Sequence, residues 1–78
     1  MELIVKFEDI LNVLDTKELP SYMYINVQDN DILEHMFPDN YDKAVLNEYW
    51  SHGKLGYLNG IPVLSGVLSR KAAKLIWN

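Results

Sequence analysis

Seventy-eight residues with no cysteine and a formal net charge of −4 leave room for one small domain. They exclude a disulfide scaffold, a thiol nucleophile and a thiolate metal site. An apolar content of 49% with 12% aromatics excludes a disordered chain, and so small a core has little to spare for the walls of a catalytic cleft, so no enzyme is expected.

Leu3-Ile4-Val5 is a short apolar run between Glu2 and Lys6. It is too short for a secretory signal, and no segment reaches the ~20 apolar residues that cross a bilayer. The run suits an opening strand, and the expected setting is the cytoplasm of a host cell or a virion assembled there. Phe7, Ile10, Leu11 and Leu14 then fall at i, i+3, i+4 and i+7, which predicts a helix over 7–15. Glu8 and Asp9 in its first turn complement the helix dipole.

Past Pro20, the stretch 22–27 alternates as a strand does. Met23, Ile25 and Val27 point one way, and Tyr22, Tyr24 and Asn26 the other. Gln28-Asp29-Asn30-Asp31 supplies turn residues, and Asn30 or Asp31 can cap a helical turn. A second helix is predicted over 40–52, with Tyr41, Ala44, Val45, Glu48 and Tyr49 at helical spacing and Gly53 at its end. Residues 54–66 read as a hairpin turning on Asn59-Gly60, a pair that tolerates the positive φ of a type I′ turn. Pro62 has no amide hydrogen, which predicts an edge strand or a bulge there. The end of the chain fits helix and strand equally: Val67, Leu68, Ala72, Leu75 and Ile76 have helical spacing, and Lys74 to Trp77 suits a strand.

The expected fold is therefore α+β: a small antiparallel or mixed sheet with an Asn-Gly hairpin, covered on one face by two helices. Its predicted core holds Phe7, Ile10, Leu11, Leu14, Met23, Ile25, Val27, Val45, Tyr49, Leu58, Val63 and Leu75.

Chemistry-bearing motifs are weak. Glu48 and His52 at i, i+4, with His35, lack the spacing of a metal motif; a histidine near a helix end already has the dipole to pair with. Asp29-Asn30-Asp31 begins like a calcium loop, but Glu34 stands where the glycine belongs and Asn40 where the bidentate glutamate belongs. Lys54 after Gly53 is followed by Leu55, not Ser or Thr, so no phosphate loop is formed. No Gly-x-Ser-x-Gly elbow surrounds any serine. No catalytic residue, metal or cofactor is expected.

Charge carries more information. Residues 1–50 hold all eleven carboxylates against three lysines, a balance of −8; residues 51–78 hold Lys54, Arg70, Lys71 and Lys74 and no carboxylate. The acidic stretch predicts a surface for a basic site on another protein, with Asp29, Asp31, Glu34, Asp39 and Asp42 meeting Lys or Arg; Tyr22 and Tyr24 are its apolar anchors if their strand face is uncovered, and core if a helix covers it. Arg70, Lys71 and Lys74 form a small basic cluster, yet the chain is acidic overall, so direct nucleic-acid binding is not expected.

Tyr24-Ile25-Asn26-Val27, a following helix, and Gly53-Lys54-Leu55-Gly56-Tyr57-Leu58-Asn59-Gly60-Ile61-Pro62-Val63 before a last apolar segment resemble part of tailed-phage major capsid proteins. The resemblance spans about residues 22–77. It implies a final strand and a phage or prophage setting, and no catalytic residues. A full capsid subunit also has an extended arm and a peripheral domain, for which this chain has no room. The function expected from charge, size and setting is a non-enzymatic inhibitor that binds and blocks or redirects a host protein complex, similar in size and charge to anti-CRISPR proteins and nucleic-acid mimics. The alternative is a virion structural protein whose acidic and basic patches join head to tail into a homo-oligomer.

Overall fold

The computed structural model describes residues 1–16, 18–44 and 53–78. Within them the chain runs β1 (Glu2–Lys6), a 3-10 turn (Phe7–Asp9), α1 (Ile10–Thr16), β2 (Tyr22–Ile25), a second 3-10 turn (Val27–Asp29) and α2 (Asn30–Met36). It continues with β3 (Tyr41–Lys43), β4 (Lys54–Leu58), β5 (Ile61–Ser65) and β6 (Ala72–Ile76). The fold is α+β, with a mixed sheet of six strands in the order β1-β6-β2-β5-β4-β3 and two short helices. Only the β2–β5 pairing is parallel.

β6 lies between β1 and β2 and runs antiparallel to both. The last strand thus fills the gap left by the first β-α-β connection, and the chain's two ends are stitched together. Phe7 N donates to Lys71 O at 3.0 Å, and Trp77 N to Met1 O at 2.8 Å. Trp77 also donates from its indole Nε1 to the Glu18 carbonyl, 2.6 Å away. The open choice for the C-terminal segment is settled as strand. β1 needs a partner, and Ala73 and Leu75 alternate into the core while Ala72, Lys74 and Ile76 face the other way.

Both turn residues between β4 and β5 have positive φ, 50° at Asn59 and 81° at Gly60. Leu58 and Ile61 face each other across them. Pro62 sits in an inner strand, not at an edge, and the register shift lies in β4 between Lys54 and Gly56. Pro62 faces Tyr57, one pair beyond the turn, where an antiparallel ladder exchanges no hydrogen bonds. The parallel ladder to β2 starts one residue later, at Val63. The missing amide therefore falls outside the paired stretch of the β2 ladder.

The core lies between one sheet face and the helices. Phe7, Ile10 and Leu14 from the first helical segment, and Leu33 and Phe37 from the second, pack on Met23, Ile25, Leu58, Ile61, Val63, Ala73 and Leu75. Leu11 packs against this core only partly buried. Two expectations fail. Val27 is 53% exposed, because β2 stops at Ile25 and Asn26 caps the 3-10 turn by accepting from Gln28 N. Tyr41–Lys43 is a strand rather than the start of a helix: Tyr41 is buried, and its backbone pairs with Leu58. The remainder of that predicted helix, residues 45–52 with Val45, Glu48, Tyr49 and His52, lies outside the described residues.

The edges are protected in the usual ways. β1 places Glu2 and Lys6 at its ends, and β3 is three residues long with Asp42 and Lys43 exposed.

Candidate binding surface

Strand alternation gives the sheet a second face, pointing away from the helices. The registers align its side chains in rows. One row runs Glu2, Ile76, Tyr22, then across β5 and β4 through Pro62 and Tyr57 to Asp42. The next runs Ile4, Lys74, Tyr24, Leu64 and Lys54. No described helix covers these rows. Ile4 is 58% exposed, Tyr22 39% and Tyr57 36%, while the side chains of β2 on the opposite face, Met23 and Ile25, are at 0%.

This face is ordered by its own contacts. Tyr24 lies over Gly66, where a β-carbon would stand 3.1 Å from the Tyr24 Cβ. Lys54 places its ammonium 5.5 Å from the Tyr57 ring centroid and donates to its hydroxyl at 3.2 Å. Lys54 and Lys74 stand inside the face, and Glu2, Lys6 and Asp42 stand on the outer strands.

The acidic residues predicted to join these tyrosines are dispersed. Asp29 is withdrawn from the surface altogether at 0% exposure. Its carboxylate accepts from Arg70 Nε and from Lys71 N, the latter at 2.6 Å, and so fixes the 66–71 loop to the start of α2. Asp31 is exposed and paired with Lys43. Glu34 is half-buried on α2, and Asp39 is exposed in the turn before β3. Only Asp42 shares the sheet face with Tyr22 and Tyr24. The single acidic patch anchored by two tyrosines therefore does not form: two of its five carboxylates are matched by cations.

Charge is instead spread unevenly over the two layers. Glu8, Asp9 and Asp15 on the first helical segment, with Asp31 and Glu34 on α2, line the helical side. Lys54 and Lys74 stand on the opposite sheet face. Sequence reading missed Ile4, Tyr57, Leu64 and Ile76 as members of that face. Their signal was the alternation within β4, β5 and β6, which becomes legible once the strand order is known.

Against family models, curated proteins and solved structures, the chain finds no match.

Among the described residues no cluster of three His, Cys, Asp or Glu side chains could hold a metal, and no helix is long and apolar enough to cross a membrane. No buried side-chain polar atom among them lacks a partner.

The joint between α2 and β3 is electrostatically tuned. The buried Tyr41 hydroxyl donates to Asn30 Oδ1. Burial, reinforced by the nearby carboxylates of Glu34 and Asp31, pushes the Tyr41 phenol well above its ordinary pKa. The Lys43 ammonium, hydrogen-bonded to Asp31, lowers that carboxyl's pKa and is itself raised by the same bond. For Tyr41 the folded pKa exceeds the unfolded one. Its contribution to stability is complete below about pH 10 and is lost as pH climbs through the folded value. Phenolate absorbance should show one tyrosine that ionises only as the far-ultraviolet dichroism collapses. In Tyr41→Phe that late step should vanish; its persistence would contradict the assignment.

Proposed function

We propose that this protein is a non-enzymatic binding module that captures a partner protein on the uncovered face of its sheet and blocks or redirects it. The observation that carries this reading is that the described helices cover only one face of the sheet. Helices close one face, and the other presents Ile4, Tyr22, Tyr24, Tyr57, Leu64 and Ile76 to solvent or half-buried. Contiguous exposed apolar area of this kind marks interaction sites. Tyrosine supplies large contact area at low entropic cost and is enriched where binding energy concentrates.

Lys54 and Lys74 among the rings fit a partner that presents carboxylates around an apolar centre. The partner's complementary charge is thus reversed from the basic surface that the acidic stretch suggested. The acidic helical layer faces away from the contact and would orient the encounter. Small size, charge partition and the capsid-like hairpin support a phage or mobile-element setting, with a host protein complex as the target.

The experiment is affinity capture with three proteins: the natural chain, a Tyr22→Ser/Tyr57→Ser variant and a Glu34→Lys/Asp39→Lys variant, each checked for native dichroism. A partner retained by the first and third and lost by the second supports the proposal. A partner lost only by the third moves the site to the helical layer and overturns it.

A second reading is favoured by the uneven charge of the two layers. An acidic helical side and a tyrosine-lysine sheet face on one molecule are complementary head to tail, which would build rings or filaments. Sedimentation across concentration separates the readings: a monomer at high concentration removes the assembly.

A further inference from the structure

A groove of about 400 Å³ opens where β1 leaves the sheet and the 66–71 loop enters β6. We infer that it binds a small ligand joining an anionic group, carboxylate or phosphate, to a compact apolar body. The volume lies within the range of small-molecule sites. Phe7 and Met36 supply apolar lining, while Lys6, Ser69, Arg70 and Lys71 line it with cations and a hydroxyl. Glu8 is the one carboxylate on this lining. The groove stands at the opposite end of β6 from the Tyr22 row, beyond the pair Ile4–Lys74.

The Arg70 guanidinium is held in place from behind. The fully buried Asp29 accepts from Arg70 Nε with one oxygen and from Lys71 N with the other. Gln28 Oε1 takes a further guanidinium hydrogen, from Nη1 at 3.3 Å. A guanidinium has five N–H donors, so three remain for a ligand. Lys71 is held at φ 59°, a left-handed conformation uncommon for a lysine, by the same carboxylate. A side chain fixed this way loses little freedom on binding, and a planar fork recognises carboxylate and phosphate oxygens in pairs. Fastening the loop uses Arg70 Nε and Lys71 N on the two Asp29 oxygens. It does not require Arg70 to stand 52% exposed at an apolar groove with Lys6 and Ser69 beside it.

The test is titration of the whole chain with phenyl phosphate and, separately, benzoate, read by amide chemical shifts. Inorganic phosphate and benzyl alcohol supply the anionic and apolar halves alone. Saturable shifts confined to residues 6–8 and 69–72 are expected with either joined probe, phenyl phosphate and benzoate distinguishing the two anions. Inorganic phosphate should bind at least about tenfold more weakly, because it fills none of the apolar lining. Arg70→Lys keeps the charge and loses the fork; it should weaken binding about tenfold. Asp29→Asn removes a negative charge, which on net charge alone would tighten an anion. Through loss of the clamp it should weaken it. Lys6→Gln is on an exposed edge position, so its fold is retained, and it should weaken binding about threefold. Absence of saturable shifts with both joined probes overturns the site. So does equal binding of inorganic phosphate, or unchanged affinity in Lys6→Gln together with Arg70→Lys.

Discussion

Replacing Arg70 with Ala should cost about 3 kcal/mol of folding stability. Asp29 has no exposed surface, and its carboxylate is held by Arg70 Nε and Lys71 N alone among the described residues. Removing the guanidinium leaves an ion in the interior with one neutral donor. Breaking a buried pair from one side costs about 3–5 kcal/mol; the low end applies because Arg70 is half exposed and water can enter its place. A domain of this length has roughly 4–12 kcal/mol in total, so the loss should lower the melting temperature by about 12 °C or more. Asp29→Ala should be milder, at about 1–2 kcal/mol. It orphans the Lys71 amide but leaves an Arg70 that solvent can hydrate. Adding Asp29→Asn to Arg70→Ala should return part of the loss, since the uncompensated charge is then gone. Urea denaturation of the four proteins measures all of this. A loss below about 1 kcal/mol for Arg70→Ala would mean the pair is not the clamp between α2 and the loop.

That pair also marks what the sequence could and could not disclose. The helical face of Phe7, Ile10, Leu11 and Leu14 is local, and so is the Asn59-Gly60 turn; both are legible because periodicity and turn chemistry act over a few residues. Tyr22 and Tyr24 could be placed on one face of a strand for the same reason. Which of eleven carboxylates would be buried could not be read, because the partner of Asp29 is 41 residues away. β3 was hidden for two reasons. Three residues are too few to show alternation, and Tyr41 with Ala44 imitates helical spacing. The environment that makes Tyr41 a core residue is created by β4, beyond residues 45–52. The open face was hidden in the same way: Tyr57 and Leu64 join Tyr22 and Tyr24 only through strand order.

Gly56→Ala should destabilise the fold by about 2–3 kcal/mol, although alanine is the smallest possible addition. A β-carbon at Gly56 would stand 2.5 Å from the Asp42 carbonyl oxygen and 2.6 Å from Tyr41 Oη. The first of these is backbone within β3 and cannot turn aside. Relief therefore requires β3 to move from β4 or the Tyr41 ring to leave its place, and the ring is tied to α2 through Asn30. Either movement strains the pairs Tyr41–Leu58 and Lys43–Gly56. It also strains two flanking bonds, Ala44 N to Leu55 O at 2.9 Å and Asn59 N to Asn40 O at 3.0 Å. Amide exchange at Ala44 and Asn59 should accelerate more than exchange at Met23 or Leu75, because the damage is confined to the β3 edge. Gly66→Ala is the control. Its β-carbon would meet Tyr24 at 3.1 Å with no backbone oxygen in the way, and about 1 kcal/mol is expected. The decisive comparison uses a Tyr41→Ala background. If the ring is half of the obstruction, Gly56→Ala should cost at least about 1 kcal/mol less there than in the natural chain. Additive losses would place the whole obstruction at the Asp42 carbonyl and remove Tyr41 as the reason for glycine at position 56.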